Sequence, residues 1–411
     1  MNIRLNNYIA KSLDIKLNKE KHTRGEIIYA IAFAMFMLST LYETTEWGLF
    51  NDTVQGQILI LTKLMRYGCY GMCLLKLLLE AIYERSRLVL FGMAAGLLVL
   101  SYLSCSNITL VLYFTMFIAA EGVGSRWIIK IAVSCQALIL FVTAGMAQIG
   151  IIDNRVWDPT VRPRYFMGFS WVTTSAILFL FIVFEYIYLK RGILNVIEYI
   201  VGVMVSYWLY KMSDARMTFL ISILVITFFL VFGKMIANGK LTCALEKIFI
   251  FVPFILGGFA IVMQYIYTPS SDILVKINDF LTGRLKWGRS GIDEYGLHLF
   301  GSPIEWVGYD SNWKNGMKYN YVDSSYLQIA LEYGVVVLTI ILILYALLIY
   351  TSIKNGNYYL CWIVMIILVF CITEPRLVKL AYNPFLLLAV TESIEYIGKK
   401  HNHEKTEIVN S

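Results

Sequence analysis

Charge is what this chain has little of. Only 15% of its 411 residues are Asp, Glu, Lys or Arg, against about 25% in an ordinary soluble domain. With 58% hydrophobic residues and a mean hydropathy of +0.66, the chain cannot cover itself with solvated side chains. Alternating segments of about 10 residues, which a closed membrane barrel requires, are missing too. The seven cysteines (Cys69, Cys73, Cys105, Cys135, Cys243, Cys361 and Cys371) all lie in or beside apolar runs. They show neither a disulfide framework nor a metal-ligand spacing. No Asp-x-Asp pair or acidic cage suggests a divalent cation, so no metal or other cofactor is expected. The first apolar run follows a basic leader but has no small-residue cleavage site, so it reads as a retained helix.

What the chain does have is apolar runs from end to end, long enough to cross about 30 Å of hydrocarbon. The reading is an all-α polytopic membrane protein of about twelve transmembrane helices. They fall near 26–42, 57–80, 87–104, 107–121, 127–150, 168–189, 192–210, 217–236, 246–266, 325–352, 358–374 and 383–398. The span at 57–80 carries Lys63, Arg66 and Lys76, which must face a bundle interior or an interface. Nineteen basic residues fall on the side shared by the two termini and thirteen on the other, six of those in one long loop. The positive-inside bias then puts both termini in the cytoplasm of a cell whose cytoplasmic membrane holds the protein. The net charge of +7 follows from this bias and implies no nucleic-acid partner. The chain divides into a basic N-terminus (1–25), nine spans (26–266), an extracytoplasmic loop (267–324), three more spans (325–398) and a short tail (399–411).

The long loop is the most polar part of the chain. It holds Arg284, His298, Asp293, Glu294, Glu305 and Asp310, with Trp287, Trp306, Tyr309 and Trp313, and ends Tyr321-Val322-Asp323-Ser324-Ser325 before the next apolar run. The loop's glycines point to a lid that moves, and its aromatic residues either stack on sugar rings or belong to the interfacial belt. Three further segments on the same side carry unexpected charge: 151–167 with Arg155, Arg162 and Arg164, 211–216 with Asp214 and Arg216, and 374–382 with Glu374 and Arg376. Arginines there oppose the topological bias, and convergence of four segments points to a shared anionic ligand. ATP and sugar nucleotides are absent outside the cytoplasm, so chemistry on this face needs a donor already in the membrane. A sugar on a polyprenyl pyrophosphate is such a donor. Arginine pairs its phosphate oxygens bidentately and stays ionised, and a carboxylate or imidazole takes the acceptor's proton.

At this point the residues resemble a known family, the O-antigen and capsular polysaccharide polymerases (Wzy-type) with the related O-antigen ligases. Asp323-Ser324, nine residues and Gly334 match the spacing of a ligase motif that has His where this chain has Asp323. Met212-Ser213-Asp214-Ala215-Arg216 resembles the family's first arginine element and Thr282-Gly283-Arg284 its second. Arg164 followed by Gly168-Phe169-Ser170, and Leu299-Phe300-Gly301, resemble two further segments. The resemblance covers roughly residues 160–340. It implies a fold like the C-type glycosyltransferases. It also implies a lipid (undecaprenyl) pyrophosphate-linked oligosaccharide as substrate, membrane lipids around it, and a chain-length regulator as partner. The reaction it implies is block transfer of a growing glycan onto the next repeat. Asp323, Arg284 and Arg216 are then the catalytic residues. Arg164, Arg376, Glu374, Glu305, Asp310, Trp287 and Tyr326 are the substrate-binding ones. Plainer roles stand beside these. Asp323 can cap the helix that follows it, Arg284 can pair with Asp279 or Asp293, Arg216 with Asp214, and Glu374 with Arg376. A ligase and a lipid-linked-sugar flippase are the alternative functions.

Overall fold

The computed structural model describes residues 23–47, 52–79, 85–157, 162–242, 245–308, 318–393 and 396. Most of the described chain is helical, and each of the twelve expected segments holds a helix. Five helices are long and apolar enough to cross a membrane: α1 (Arg24–Tyr42), α2 (Asp52–Leu79), α5 (Ser125–Gln148), α8 (Arg216–Ala237) and α14 (Val335–Asn355). Between them come α3 (Arg85–Cys105), α4 (Thr109–Ala119), α6 (Thr174–Leu189), α7 (Val196–Ser213), α9 (Glu246–Phe249) and α10 (Val252–Tyr265). Past α10 lie α11 (Asp272–Phe280), α12 (Arg284–Tyr295) and α13 (Ser325–Glu332), and after α14 comes α15 (Tyr358–Phe370).

Local chemistry sets the helix ends. Thr23 and Glu26 form a reciprocal capping box at the start of α1, and Asn195 and Glu198 do the same for α7. Asp214 closes α7 in the left-handed conformation (φ 47°), which a short polar side chain tolerates better than most. α6 is the central helix: fourteen of its sixteen residues are buried, so it needs no polar face. Its Phe181 meets Phe184, Phe370 and Tyr382 edge-on, tying α6 to α15 and the turn that follows. Gln136 of α5 donates to Glu185 of α6 and to the carbonyls of Ala381 and Tyr382, so that turn is also pinned from within the bundle.

Alternate connections meet at one end of the bundle. Thr45 bridges Phe169, and Arg162 and Arg164 reach Asp214 and Ser213. Asn107 reaches Glu332, and Arg284 reaches Asp323 and Glu374. The 151–167 segment adds a small hairpin, β1 (Val156–Trp157) against β2 (Arg164–Tyr165).

Three expectations change here. The segment 325–352 is two helices, because the chain turns at Tyr333-Gly334, where Gly334 has φ +95°. The break is stitched to the Leu299-Phe300-Gly301 stretch: Val335 and Val336 donate to the carbonyls of His298 and Leu299, and Ser302 to that of Leu331. A side chain on either Gly301 or Gly334 would strike the facing backbone, so the crossing admits only glycine. Second, the described parts of the 267–324 segment, 267–308 and 318–324, hold α11 and α12 and are tied together where Asn320 bonds Val307 and Tyr295. Third, glycine there serves close packing as well as turning, for a Cβ on Gly288 would collide with Gln264 of α10. α13, wedged between these parts, is buried at every position from Ser325 to Glu332.

Candidate active site at the α12, α13 and α15 junction

Arg284 is the first residue of α12. The preceding turn, with Thr282 and Gly283 both at positive φ, aims it back across the bundle. Its Nη1 donates to the Leu281 carbonyl (3.2 Å) and to Thr282 Oγ1 (2.9 Å), which holds the guanidinium plane. The other side of the fork faces two carboxylates. Nε lies 3.4 Å from Asp323 Oδ2, and Nη2 lies 3.4 Å from Glu374 Oε1. One arginine thus bridges the residue just before α13 and the turn after α15.

That turn is held firmly. Ser325 Oγ donates to the Glu374 carbonyl (2.6 Å) and accepts from the Leu377 N–H (3.1 Å). Tyr345 and Asn383 both donate to the Leu377 carbonyl. Arg376 lies over Tyr382, its Cζ 4.5 Å from the ring centre, and its buried Nε has no hydrogen-bond partner. Arg284 Nε is in the same state, near Asp323 but poorly aligned with it.

Burial governs the acid strengths. It pushes Asp323 up from the usual carboxylate range, against the pull of Arg284 and Arg376. Glu374 moves further, to about 7: burial and the Asp323 charge outweigh the two arginines. The carboxylates therefore differ, with Glu374 the better proton holder and Asp323 the one more easily ionised. Their side chains keep 28% and 13% exposure, so Asp323 is also the more accessible. Two carboxylates sharing one arginine, open on one side, can accept a proton from a bound hydroxyl. Arginine beside them can receive an oxyanion.

The expected residues divide into those brought together and those kept apart. Asp323, Arg284, Glu374 and Arg376 form one constellation. Arg284 pairs with neither Asp279 nor Asp293, and Glu374 forms its ion pair with Arg284 and not with Arg376. Ser324, not Asp323, stands at the cap position of α13, and no side-chain hydrogen bond caps that helix. Arg216 and Arg164 belong to a different group. Arg216 Nε reaches Asp214 Oδ1 at 3.3 Å, Arg162 pairs with the same carboxylate, and Arg164 Nε donates to the Ser213 carbonyl (2.9 Å). Among the described residues, no hydrogen bond or ion pair joins this group to Arg284. Tyr326 is fully buried and donates to the Leu368 carbonyl (2.8 Å), so it packs the core and presents nothing to a ligand. Trp287 is half-buried edge-on against Tyr319. Glu305 is exposed and makes no ion pair among the described residues, and its carbonyl accepts from Asn320. Asp310, Tyr309, Trp313 and Cys243 lie outside the described residues.

Two neighbours escaped the sequence reading. Lys379 stands three residues beyond Arg376, and Glu332, on the last turn of α13, takes hydrogen bonds from Asn107 and Trp306. The signal for Lys379 was its charge in an otherwise apolar turn, and for Glu332 a carboxylate within an apolar run. An open groove of about 600 Å³, lined by Tyr265, Thr268, Lys286, Arg289 and Asp293, lies on the opposite side of α12 from Arg284. Compared with known family models, curated proteins and solved structures, the chain matches none.

Proposed function

We propose that this chain is a glycosyltransferase of the outer face of the cytoplasmic membrane. It polymerises oligosaccharide repeats carried on a lipid pyrophosphate. One observation carries the reading: Arg284 bridges Asp323 and Glu374 at 3.4 Å each, on an end of the bundle built from otherwise apolar helices. The motif resemblance supports it, because Asp323 and Arg284 occupy two of the matched positions.

In the proposed reaction an acceptor sugar hydroxyl attacks the anomeric carbon of the donor glycan. A new C–O bond forms as the bond to pyrophosphate breaks. The electron pair leaves with the pyrophosphate, whose growing charge Arg284 stabilises. The hydroxyl proton passes to Asp323, the more accessible and more readily ionised of the two carboxylates. Glu374 holds Arg284 in line and exchanges its own proton near neutral pH. Asp323 in place of a ligase histidine favours polymerase over ligase. The charge gathered at one end of the bundle, and not along a central passage, favours a transferase over a flippase.

Complementation of a polymerase-deficient strain tests this. Asp323→Ala and Arg284→Ala should each insert normally and leave single lipid-linked repeats facing outward. Unchanged polymer length and yield in both variants would sink the assignment. Repeats trapped on the inner face would point to the flippase.

A further inference from the structure

The turn after α15 carries two cations whose side chains make no hydrogen bond or ion pair among the described residues, although Glu374 and Glu332 draw on them from a distance. Arg376 lies over Tyr382, and its buried Nε is unpartnered. Lys379 donates its backbone N–H to the Arg376 carbonyl (3.4 Å), so both side chains leave one turn. The Lys379 ammonium makes no hydrogen bond or ion pair among the described residues. The nearby carboxylates are committed elsewhere. Glu374 faces Arg284, and Glu332 accepts from Asn107 Nδ2 (2.5 Å) and Trp306 Nε1 (2.7 Å), one bond to each oxygen. Burial lowers the Lys379 ammonium from its ordinary range, and Arg376 presses the same way against the pull of Glu332. Removing charges from water without a matched counter-charge is expensive, and a fold supports such a pair where a ligand supplies the anion. The turn is already rigid through Ser325, Tyr345 and Asn383, so little ordering remains for a ligand to impose.

We propose that Arg376 and Lys379 form an oxyanion seat beside Arg284. It receives either a phosphate oxygen of the lipid carrier or the carboxylate of an acidic sugar in the repeat. The Arg376 fork, held over Tyr382, pairs two oxygens of the anion, and Lys379 adds a point charge. Assigning the anion to the glycan substrate rests on the transferase reading; the seat itself does not.

The test uses the purified full-length protein in detergent, titrated calorimetrically with inorganic pyrophosphate and, separately, with glucuronate. Wild type should saturate with one of them. Saturation by pyrophosphate assigns the seat to the lipid carrier, and saturation by glucuronate assigns it to an acidic sugar. Lys379→Gln and Arg376→Gln should each weaken binding at least tenfold, Lys379→Arg should restore it, and Lys276→Met, on an exposed position of α11, should not change it. If neither anion saturates, or if Lys379→Gln binds like Lys276→Met, the seat is wrong. Should Lys379→Gln fail to fold, the comparison of Arg376→Gln with Arg376→Lys decides: equal binding in both overturns the proposal. Reconstitution with lipid-linked repeats separates the two readings. Anion binding without polymer sinks the transferase and leaves the seat. Polymer from protein whose anion binding ignores both Arg376 and Lys379 sinks the seat and leaves the transferase.

Discussion

Two arginine clusters sit at the same end of this bundle, and they are built on opposite terms. In one, Asp214 closes α7 and accepts from Arg162 and Arg216, while Arg164 is spent on the Ser213 carbonyl. Arg216 is 68% exposed and Arg162 42%, so water solvates what Asp214 does not. Burial raises Asp214, but the hydrogen bonds from Arg162 and Arg216 hold it below the usual carboxylate range. In the other cluster both carboxylates are pushed upward, Arg284 is divided between them, and the side chains of Arg376 and Lys379 make no hydrogen bond among the described residues. The first cluster is satisfied as it stands; the second leaves the Nε of both Arg284 and Arg376 buried without a hydrogen-bond partner. Counting arginines on a face therefore says less than asking which of them already have an anion.

The sharpest way to break that comparison is to neutralise one residue in each cluster and measure turnover. Asp323→Asn keeps the shape and removes the proposed base, so kcat should fall by about 10²–10⁴. Arg216→Ala should leave kcat within about tenfold, because its guanidinium is exposed and paired only with Asp214. Equal losses in the two variants would mean that the clusters act as one site, as their shared face first suggested. The decisive readout is reconstituted polymer synthesis with defined lipid-linked repeats, with KM and kcat reported separately.

The next effect lies in the frame that brings Asp323 to Arg284. Gly334→Ala places a Cβ against the Leu299 backbone and demands φ +95° of a residue that resists it. Loss of folded protein by roughly 2–4 kcal/mol is expected, the scale of a core clash combined with backbone strain. Gly356→Ala is the control: it also has positive φ, at the end of α14, but its Cβ would meet open space, so its cost should stay near 1 kcal/mol. Thermal unfolding of the two purified variants compares them directly.

Sequence and structure agree where one residue suffices to carry the signal. The apolar runs placed a helix in each of the twelve expected segments, though not α11 and α12 of the polar segment, and Asp323, Arg284, Glu374 and Arg376 were nameable because charge stands out in such a chain. What stayed hidden is what depends on three-dimensional partnering. The pairing of Arg216 with Asp214 was legible as its plainer role, but that Arg162 joins the same carboxylate and turns the matched Ser-Arg element into a helix-end clasp was not. Tyr326 neighbours Ser325 in sequence, yet α13 is buried on all sides and turns the phenol into the core. The break at Gly334 was concealed because α13 and α14 together read as one apolar run. Their separation depends on a contact with Gly301, thirty-odd residues earlier. Lys379 was passed over as one more loop lysine, since its lack of a partner is not written in its neighbours.

A smaller and more specific effect distinguishes the carboxylates by pH. Glu374 titrates near 7 in the folded protein, whereas an unfolded glutamate titrates near about 4.3. The folded state therefore holds more protons between those values, and stability must fall as pH rises through that window. The whole shift corresponds to roughly 3–4 kcal/mol. Glu374 is 13% exposed, so solvent screening removes only part of it. Glu374→Gln abolishes the titration and should flatten the loss of Tm between pH 5 and pH 8, becoming more stable than wild type at the alkaline end. The Asp214 cluster predicts the reverse sign, because its carboxyl is depressed and its contribution is lost only as pH falls below the usual carboxylate range. Asp214→Asn should cost about 1 kcal/mol or less, given the exposure of its partners, and its effect should shrink on acidification. A Glu374→Gln profile that parallels wild type would show that Arg284 holds the carboxyl ionised in the fold. That would make Glu374 a counter-ion like Asp214 and remove the difference between the clusters.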